Sequence, residues 1–509
     1  MTKKREKYLK NREEKRKKTE EGIKNGTIRY ISHEQKKEKQ AMPNRKSLFA
    51  SCDQELADRQ ETAERAVMVY QRMMKGLLPK LSLIKDPRQP SKIKHKMNVL
   101  FVYGILLSMY HIGSRRRANL EMSRPIFHEN LKEMFPTLES LPHADTLARL
   151  LENLDVEMIQ EAMIRLLKDL IKNKKFKNYL HNKKLLIAID GTQKLCRGYH
   201  WADECLKRHV GESRVEQYYC YVLEAVMVLD NGITLPLISE FIENDKQETS
   251  GSKQDCELKG FYRMTEHLKR IFRNTKISIV VDGLYACGPV ISICRKYNWD
   301  YMIVLKEESM PAVWDEAMAL INLNKENRCG CMWGDREQRF AWANEIEYEY
   351  NVEAGKRKEI INVVICYESW KETHARTTHS AEIKQTRYAW ISSKAISDSN
   401  VFYRCTRMGR FRWKIENSIL TEKHQGYLYE HCYSYSWNAM KGFHFLMKIG
   451  RFMNVMAANS ELLYEKVKEL GIRGFVRYMR NICQGALLDK EGLREARERQ
   501  FMWRLQVET

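Results

Sequence analysis

Two short apolar runs, each followed by Asp-Gly, constrain the fold of this chain more than any other feature of its sequence. LLIAI at residues 185–189 precedes Asp190, and ISIVV at residues 277–281 precedes Asp282. Such near-continuous runs are typical of strands that are buried on both faces of a sheet. An Asp that ends a strand of this kind lies at the sheet edge where α/β proteins form their sites. One Asp-Gly alone more often indicates a turn, but two in matching contexts predict a pair of functional carboxylates in an α/β core.

Helical and strand-like patterns flank these runs. Residues 51–180 carry apolar side chains at three- and four-residue spacing, which predicts helices, and Pro79 is expected to end one of them. Asp145 is expected to cap a later helix. The segments 218–229 and 233–242 are separated by Asp-Asn-Gly, and they predict two antiparallel strands joined by a tight turn.

Basic residues are in large excess. The 509-residue chain has 88 Lys and Arg against 66 Asp and Glu, a net charge of +22. A net charge of this size is informative about the binding partners of a protein and not about its fold. Nucleic acid is the natural polyanionic partner. Residues 1–50 are strongly basic, so we expect a basic arm there. A solvated tail explains this arm as well as a specific DNA contact does.

Neither secretion nor a membrane anchor is expected. The thirteen cysteines lack framework spacing, which suits a reducing cytoplasm. No apolar signal core follows the opening residues MTKKR. The most apolar stretch, Val99–Ile112, is too short to span a bilayer and predicts a buried helix.

The segment 407–427 offers a third carboxylate, Glu416. Its apolar residues recur every three to four positions, as on one face of a helix: Met408, Phe411, Ile415 and Ile419. Arg412 lies four residues before Glu416 and Lys423 seven after it, so the three share one side of the predicted helix. The helix pattern alone favours a surface helix with an Arg412–Glu416 ion pair.

With these residues together, the chain resembles the DDE transposases of bacterial insertion sequences. LLIAIDGT matches the first Asp of that family at Asp190, ISIVVDGLYA the second at Asp282, and FRWKIEN the Glu at Glu416. The segments Asp86-Pro87-Arg88 and PHADT extend the resemblance upstream, so that it covers roughly residues 85–450.

The resemblance is to the branch that has a β-rich insertion before the Glu and a Tyr-Arg-Glu-Lys signature. Arg412, Glu416 and Lys423 match the Arg, Glu and Lys of this signature. The Tyr does not match, because Gly409 stands three residues before Arg412. This chain therefore lacks the Tyr that the signature places near the DNA end.

The resemblance implies an α/β fold with an RNase H-like core, which is a mixed five-stranded sheet with flanking helices. It places Asp190 on the first strand, Asp282 on the fourth and Glu416 on a helix after the insertion. The predicted regions are a basic arm (1–50), a helical N-terminal DNA-binding region (51–180), the first part of the RNase H-like core (181–305), the β-rich insertion (306–395), the second part of the core (396–450) and a helical C-terminal region (451–509).

The resemblance also implies a function. A transposase binds the double-stranded DNA ends of an insertion sequence, cleaves them by metal-dependent hydrolysis and joins the 3′ ends to target DNA. Asp190, Asp282 and Glu416 would hold two Mg²⁺ ions, or Mn²⁺ in their place, and Arg412 and Lys423 would hold phosphates. We expect a homodimer on DNA in the bacterial cytoplasm, associated with the nucleoid. The alternatives are a catalytically silent DNA-binding derivative and an RNase H-like nuclease without strand transfer.

Three further motifs have a functional and a structural interpretation each. The cluster Arg115, Arg116 and Arg117 is a candidate DNA contact, although a solvated helix end is favoured. Cys196, His200, Cys205 and His209 could bind zinc, but the spacing is not that of a standard finger and free side chains are favoured; Cys329 and Cys331 are a weaker case. By resemblance, Trp333, Trp342 or Trp390 could stack on a flipped base, whereas core packing is favoured for each.

Overall fold

The structure, a computed structural model, is mixed α/β and divides into two compact units. It describes residues 3–27, 29–31, 49–212, 214–244, 254–353, 355–373 and 381–506. Unit 1 comprises Met1–Arg45 and Lys276–Arg412, and unit 2 comprises Lys46–Thr275 and Trp413–Thr509. Unit 2 is therefore discontinuous in sequence, because the larger part of unit 1 is inserted into it.

Helices account for most of unit 2 and a smaller part of unit 1. In the described residues they are α1 (Lys3–Lys24), α2 (Cys52–Leu81), α3 (Met97–Met109), α4 (Arg115–Met122), α5 (Pro125–Met134), α6 (Ala144–Asn153), α7 (Glu157–Lys172), α8 (Glu257–Ile271), α9 (Gly288–Lys296), α10 (Pro311–Leu323), α11 (Trp413–His424), α12 (Trp437–Ala458), α13 (Tyr464–Gln484) and α14 (Lys490–Glu498). Of the predicted basic arm, the described part is α1 with the turn after it (residues 3–27), the strand at residues 29–31 and residues 49–50; the remainder lies outside the described residues.

The predicted buried helix is α3, and it lies in the core of unit 2. Every residue from Val99 to Met109 is buried. Helix α12 crosses it closely, since a Cβ added to Gly450 would lie 3.0 Å from the carbonyl oxygen of Ile105. Among the described residues, no helix combines the length and the apolar character that a bilayer span requires.

Two predicted helix limits in unit 2 are wrong. Helix α2 continues through Pro79 to Leu81, because a proline in the last turn removes only one intrahelical hydrogen bond there. Helix α6 is capped by His143, whose Nδ1 accepts from the amide of Asp145 at 3.3 Å. Asp145 therefore lies in the first turn and is not the cap.

Strands form a sheet in each unit. In the described residues they are β1 (Arg29–Ile31), β2 (Leu185–Arg197), β3 (Leu206–Val210), β4 (Val215–Val228), β5 (Thr234–Ile242), β6 (Ile277–Val281), β7 (Asp300–Val304), β8 (Arg328–Trp333), β9 (Arg336–Val352), β10 (Gly355–Thr373) and β11 (Ala381–Ser392).

The sheet of unit 2 is antiparallel, and β4 is its central strand. β2 pairs with one edge of β4, and β3 and β5 pair with the other. The turn between β4 and β5 contains Gly232 at φ 83°, a conformation that glycine adopts without strain. The hairpin predicted over 218–229 and 233–242 is confirmed.

The sheet of unit 1 is mixed. β6 and β7 are parallel, β7 pairs antiparallel with β11, and β8 to β11 form an antiparallel meander. β1 lies parallel to β8 at the other edge. The segment 306–395 is thus rich in strands, but it also contains α10, which was not predicted.

Candidate functional site

Asp190 lies in the middle of a long strand. The prediction that its strand ends there is wrong, because β2 stays paired with β4 as far as Arg197. β4 supplies partners over this whole length, since it begins at Val215. The Asp190 carboxylate is partly exposed, and its Oδ1 accepts from the amide of Gly191 at 3.1 Å.

The pairing of β2 with β4 defines the face to which Asp190 projects. Asp190 is opposite Glu224 in the antiparallel register, and residues paired in this way project from the same face. Glu224 is buried and accepts hydrogen bonds at 2.7 Å from the hydroxyls of Tyr429 and Ser239. Lys448 of α12 also contacts Glu224, at 2.9 Å. Asp190 therefore projects from the face that α12 covers.

Gly191 is packed on the opposite face. A Cβ added there would lie 2.5 Å from both Glu257 Oε2 and the Tyr221 hydroxyl. These two groups are themselves bonded, since the Tyr221 hydroxyl donates to Glu257 at 2.9 Å. The Asp-Gly dipeptide thus allows a glutamate of α8 to lie directly against the strand next to Asp190. From the sequence, helix capping explains the segment 253–257 that includes Glu257, because only the strand pairing reveals that Glu257 lies against β2.

The segment around Glu416 differs from the single helix that was predicted. Tyr403–Met408 is a π-helix, Gly409–Arg412 is a 3₁₀ turn, and α11 begins at Trp413. Arg412 is buried and belongs to unit 1, whereas Glu416 is partly exposed in the first turn of α11 in unit 2. The spacing of four residues therefore does not place Arg412 on the helix of Glu416.

Two lysines define how α11 lies over β2. A Cβ added to Gly232 would lie 2.9 Å from Lys414 Nζ, at the start of α11. Gly232 follows the end of β4 that pairs with the beginning of β2. Lys423, at the other end of α11, donates from Nζ to the carbonyl oxygen of Gln193 at 3.1 Å. The helix therefore runs in the same direction as β2.

This direction brings Asp190 and Glu416 to the same level within unit 2. Asp190 precedes Gln193 by three strand residues, a rise of about 10 Å. Glu416 precedes Lys423 by two helical turns, also a rise of about 10 Å, and lies on the same side of the helix. Lys448, which contacts Glu224 on the Asp190 face, also contacts Glu422 of α11 at 2.6 Å. Helix α11 therefore packs on that face, and we infer that the two carboxylates share it.

Lysines near this face differ in their surroundings. Lys194 of β2 is buried and donates to the carbonyl oxygen of Tyr429 at 2.6 Å, and burial lowers its pKa to about 8. Burial also lowers the pKa of Lys414. Lys423 forms an ion pair with Glu430 at 2.8 Å. The predicted phosphate contact of Lys423 stays a prediction.

Asp282 lies in unit 1 and ends its strand as predicted. β6 stops at Val281, and the Asp282 carboxylate caps the 3₁₀ turn Gly283–Tyr285 by accepting from the amide of Leu284 at 2.9 Å. A Cβ added to Gly283 would lie 3.2 Å from the methylenes of Lys306. Lys306 is exposed, and sequence reasoning missed that its side chain packs against the residue that follows Asp282.

The mismatch at Gly409 has a packing reason within unit 1. A Cβ added to Gly409 would lie 2.9 Å from the indole nitrogen of Trp390, so no larger side chain fits without displacing that ring. Trp390 and Trp342 are buried, in agreement with their interpretation as core residues. Trp333 is partly exposed, and the guanidinium of Arg410 lies 4.9 Å from its ring centre.

The basic cluster after α3 forms the first turn of α4. Ser114 caps this helix by accepting from the amide of Arg117 at 3.2 Å. Arg115 lies 3.2 Å from Asp145, and Arg117 is paired with Glu121. Arg116 is exposed. DNA binding by this cluster stays a prediction.

The structure does not gather the candidate zinc ligands. Cys205 is buried, whereas the Cys196 thiol lies 3.5 Å from Gln217 Oε1 and His209 Nδ1 lies 3.4 Å from the carbonyl oxygen of Arg214. Across the part of the chain that the structure describes, no three His, Cys, Asp or Glu side chains are grouped so that they could hold a metal ion.

A family model matches part of the chain. Residues 78–167, which include α3 to α6 and most of α7, match the family model described as DDE_Tnp_1-associated. No curated protein matches the chain. The match supports a relation to DDE-type transposases, and it comes from a part of the chain that holds none of the three candidate carboxylates.

Proposed function

We propose that this protein is a DDE-type transposase that cleaves the ends of an insertion sequence and joins the 3′ ends to target DNA. The proposal is carried by the register of β2 with β4 and by the hydrogen bond from Lys423 to Gln193, from which we infer that Asp190 and Glu416 share one level on one face of the unit 2 sheet. The family match at residues 78–167 adds independent support, because it lies outside that site.

The strand arrangement within each unit supports an RNase H-like core. β2, β4 and β5 of unit 2 are antiparallel, and β6 and β7 of unit 1 are parallel. An RNase H-like sheet combines three antiparallel strands with parallel ones. In that scheme Asp190 belongs to the first strand, and Asp282 follows the fourth.

The candidate carboxylates suit divalent metal ions by their chemistry. Mg²⁺ prefers oxygen ligands and is bound by one or two carboxylates while it keeps several waters, and the partly exposed Asp190 and Glu416 offer such a pair in unit 2. We propose that Asp282 completes the set. Two such ions would supply an activated oxygen nucleophile and a stabilised leaving oxygen.

The remaining residues would bind and orient DNA. The side chain of Lys306 packs beside Gly283, and Lys423 lies on the Glu416 side of α11. Their ammonium groups, together with the guanidinium of Arg412, would hold phosphates near the scissile bond. The basic arm and Arg115 to Arg117 would add contacts along the duplex, and we propose a homodimer because two ends are joined in one event.

The test is metal-dependent cleavage of DNA that carries the sequences flanking the coding region. Asp190→Ala, Asp282→Ala and Glu416→Ala should each lower the cleavage rate about a thousandfold or more, because each removes several kcal/mol of transition-state stabilisation. The matched control is Glu212→Ala, which removes an exposed carboxylate between β3 and β4 and should cleave at the wild-type rate.

The products separate the proposal from its alternatives. Cleavage and joining support the transposase, cleavage without joining indicates a nuclease, and binding without cleavage indicates a silent DNA-binding derivative. Wild-type cleavage by the Glu416→Ala variant would disprove the assignment of the third carboxylate.

A further inference from the structure

The face of the unit 2 sheet that carries Asp190 also carries a buried cluster of polar and ionised side chains. It draws on β4, α11 and α12, and its members are all more than nine-tenths buried: Glu224, Glu422, His444, Lys448 and Arg451. The proposed cleavage uses none of them directly. We propose that Lys448 is a positioning residue, which holds the helix of Glu416 against the strand pair of Asp190.

Lys448 joins two carboxylates from different elements. Its Nζ lies 2.9 Å from Glu224 Oε1 on β4 and 2.6 Å from Glu422 Oε2 on α11. Glu224 is the register partner of Asp190. Glu422 follows Glu416 by six residues on α11, less than two turns. One ammonium group therefore connects a neighbour of each proposed catalytic carboxylate.

The other members of the cluster contact the same two glutamates. Arg451 lies 3.2 Å from Glu422 Oε1 and donates to the Ser418 hydroxyl of α11 at 2.9 Å. His444 Nε2 lies 3.3 Å from Glu224 Oε1. Burial lowers the pKa of His444 to about 3, so the ring is neutral at pH 7. Lys448 and Arg451 thus each contact a glutamate of the cluster, and Lys194 of β2 is a third buried basic side chain near them.

The charge balance makes the position of α11 sensitive to Lys448. Burial raises the pKa of Glu224, but Lys448 and His444 outweigh it, and that pKa is held well below its ordinary value. Removal of one partner leaves a buried charge uncompensated. The free energy of this uncompensated charge falls most easily if α11 moves so that water reaches Glu422. This movement would carry Glu416 away from Asp190. The inference rests on the proposed function for the roles of Asp190 and Glu416, but not for the ordering of α11.

The same helix offers a matched control. Lys441 lies two turns before Lys448 on α12 and also joins two glutamates, Glu157 at 2.6 Å and Glu243 at 2.8 Å. Neither of these belongs to α11. Lys441→Met therefore removes a similar bridge from the same helix without touching the element that carries Glu416.

The experiment compares Lys448→Met, Glu422→Gln and Lys441→Met in the full-length protein. Amide hydrogen exchange over residues 413–424 reports the ordering of α11, and the Mg²⁺ concentration for half-maximal DNA cleavage reports the carboxylate geometry. Lys448→Met and Glu422→Gln should speed exchange in α11 and raise the Mg²⁺ requirement about 10- to 100-fold, as is typical when an outer partner of a metal ligand is lost. Lys441→Met should change neither.

Each outcome of these measurements supports or overturns the proposed role of Lys448. Unchanged exchange in α11, or faster exchange with an unchanged Mg²⁺ requirement, would overturn the role of Lys448. If Lys448→Met does not fold, Glu422→Gln probes the same bridge from its other end. If the wild-type protein cleaves no DNA, the proposed function fails, and the exchange measurement alone still supports or overturns the ordering of α11 by Lys448.

Discussion

Asp190 and Asp282 follow nearly identical apolar runs, yet the structure gives them different surroundings. β2 continues seven residues beyond Asp190, whereas β6 ends just before Asp282. The strand opposite Asp190 presents the buried Glu224, while the last residue of β6, Val281, is paired with Ile303. Asp190 thus lies next to a buried ionic cluster, whereas Asp282 lies at the end of a strand whose neighbours are aliphatic.

This difference between β2 and β6 shows that an apolar run in the sequence predicts that a strand is buried but does not predict where the strand ends. β2 passes Asp190 because β4 offers partners as far as Tyr218. β6 stops because Asp282 caps the 3₁₀ turn that follows it. A carboxylate within a strand depends on its cross-strand neighbours, and one at a strand end depends on its own turn.

The largest effect expected from this comparison is on stability. Glu224→Gln should lower the free energy of unfolding by about 3–5 kcal/mol, because it removes one partner from a buried ionic cluster. Near Asp282, Ile303→Val should cost only about 1 kcal/mol. Urea unfolding followed by tryptophan fluorescence measures both, and Glu216→Gln, on an exposed part of β4, should leave the unfolding midpoint unchanged. Equal losses for Glu224→Gln and Ile303→Val would erase the distinction between the two regions.

A second effect is a dependence on pH that Lys194 contributes in the Asp190 region. The pKa of Lys194 is lowered to about 8 in the folded protein, mainly by burial, whereas it is about 10.4 in an unfolded chain. Between these values the unfolded state binds more protons, so stability rises with pH through this window.

Lys194→Met removes this titration. The stability of that variant relative to wild type should therefore fall by up to about 3 kcal/mol between pH 7.5 and pH 10.5. The measurement is urea unfolding of both proteins at several pH values. A constant difference between them would show that Lys194 is not buried as a cation.

The smallest effect concerns the glycines that follow the two aspartates. Gly191→Ala should cost about 1–3 kcal/mol, because the added methyl meets the bonded pair of Glu257 and Tyr221. Gly283→Ala should cost less, since the atoms in its way are methylenes of the exposed Lys306. Thermal unfolding of the two variants gives the order, and a larger loss for Gly283→Ala would contradict the packing described for Gly191.

Local patterns predicted the elements whose signals are themselves local. The hairpin of β4 and β5 follows from Asp-Asn-Gly between two apolar runs, and α3 follows from its continuous apolar sequence. Helix α10 also had a signal that was missed, because Pro311 stands at its first position and good helix formers follow. The family relation was partly predictable too, since residues 78–167 lie largely within the span of the resemblance.

Contacts between distant residues could not be predicted in this way. In the sequence, Lys194 has the character of an exposed strand residue. The structure shows that its hydrogen-bond partner is the carbonyl oxygen of Tyr429, far along the chain. Glu422 likewise has the character of a surface helix residue in the sequence, whereas the structure shows it in contact with Lys448. The three carboxylates were chosen from pattern and resemblance, and their joint role stays a proposal.

The insertion of unit 1 into unit 2 has a consequence for the order of events during synthesis. A nascent chain that has emerged as far as Arg412 contains β2 and Asp190 but neither α11 nor α12. At ordinary translation rates, unit 1 separates the two parts of unit 2 by roughly 10 to 30 s. Glu224 has no lysine partner from α12 during that interval, and Asp190 has no Glu416. The proposed nuclease centre therefore cannot form before the chain has been synthesised beyond Glu416.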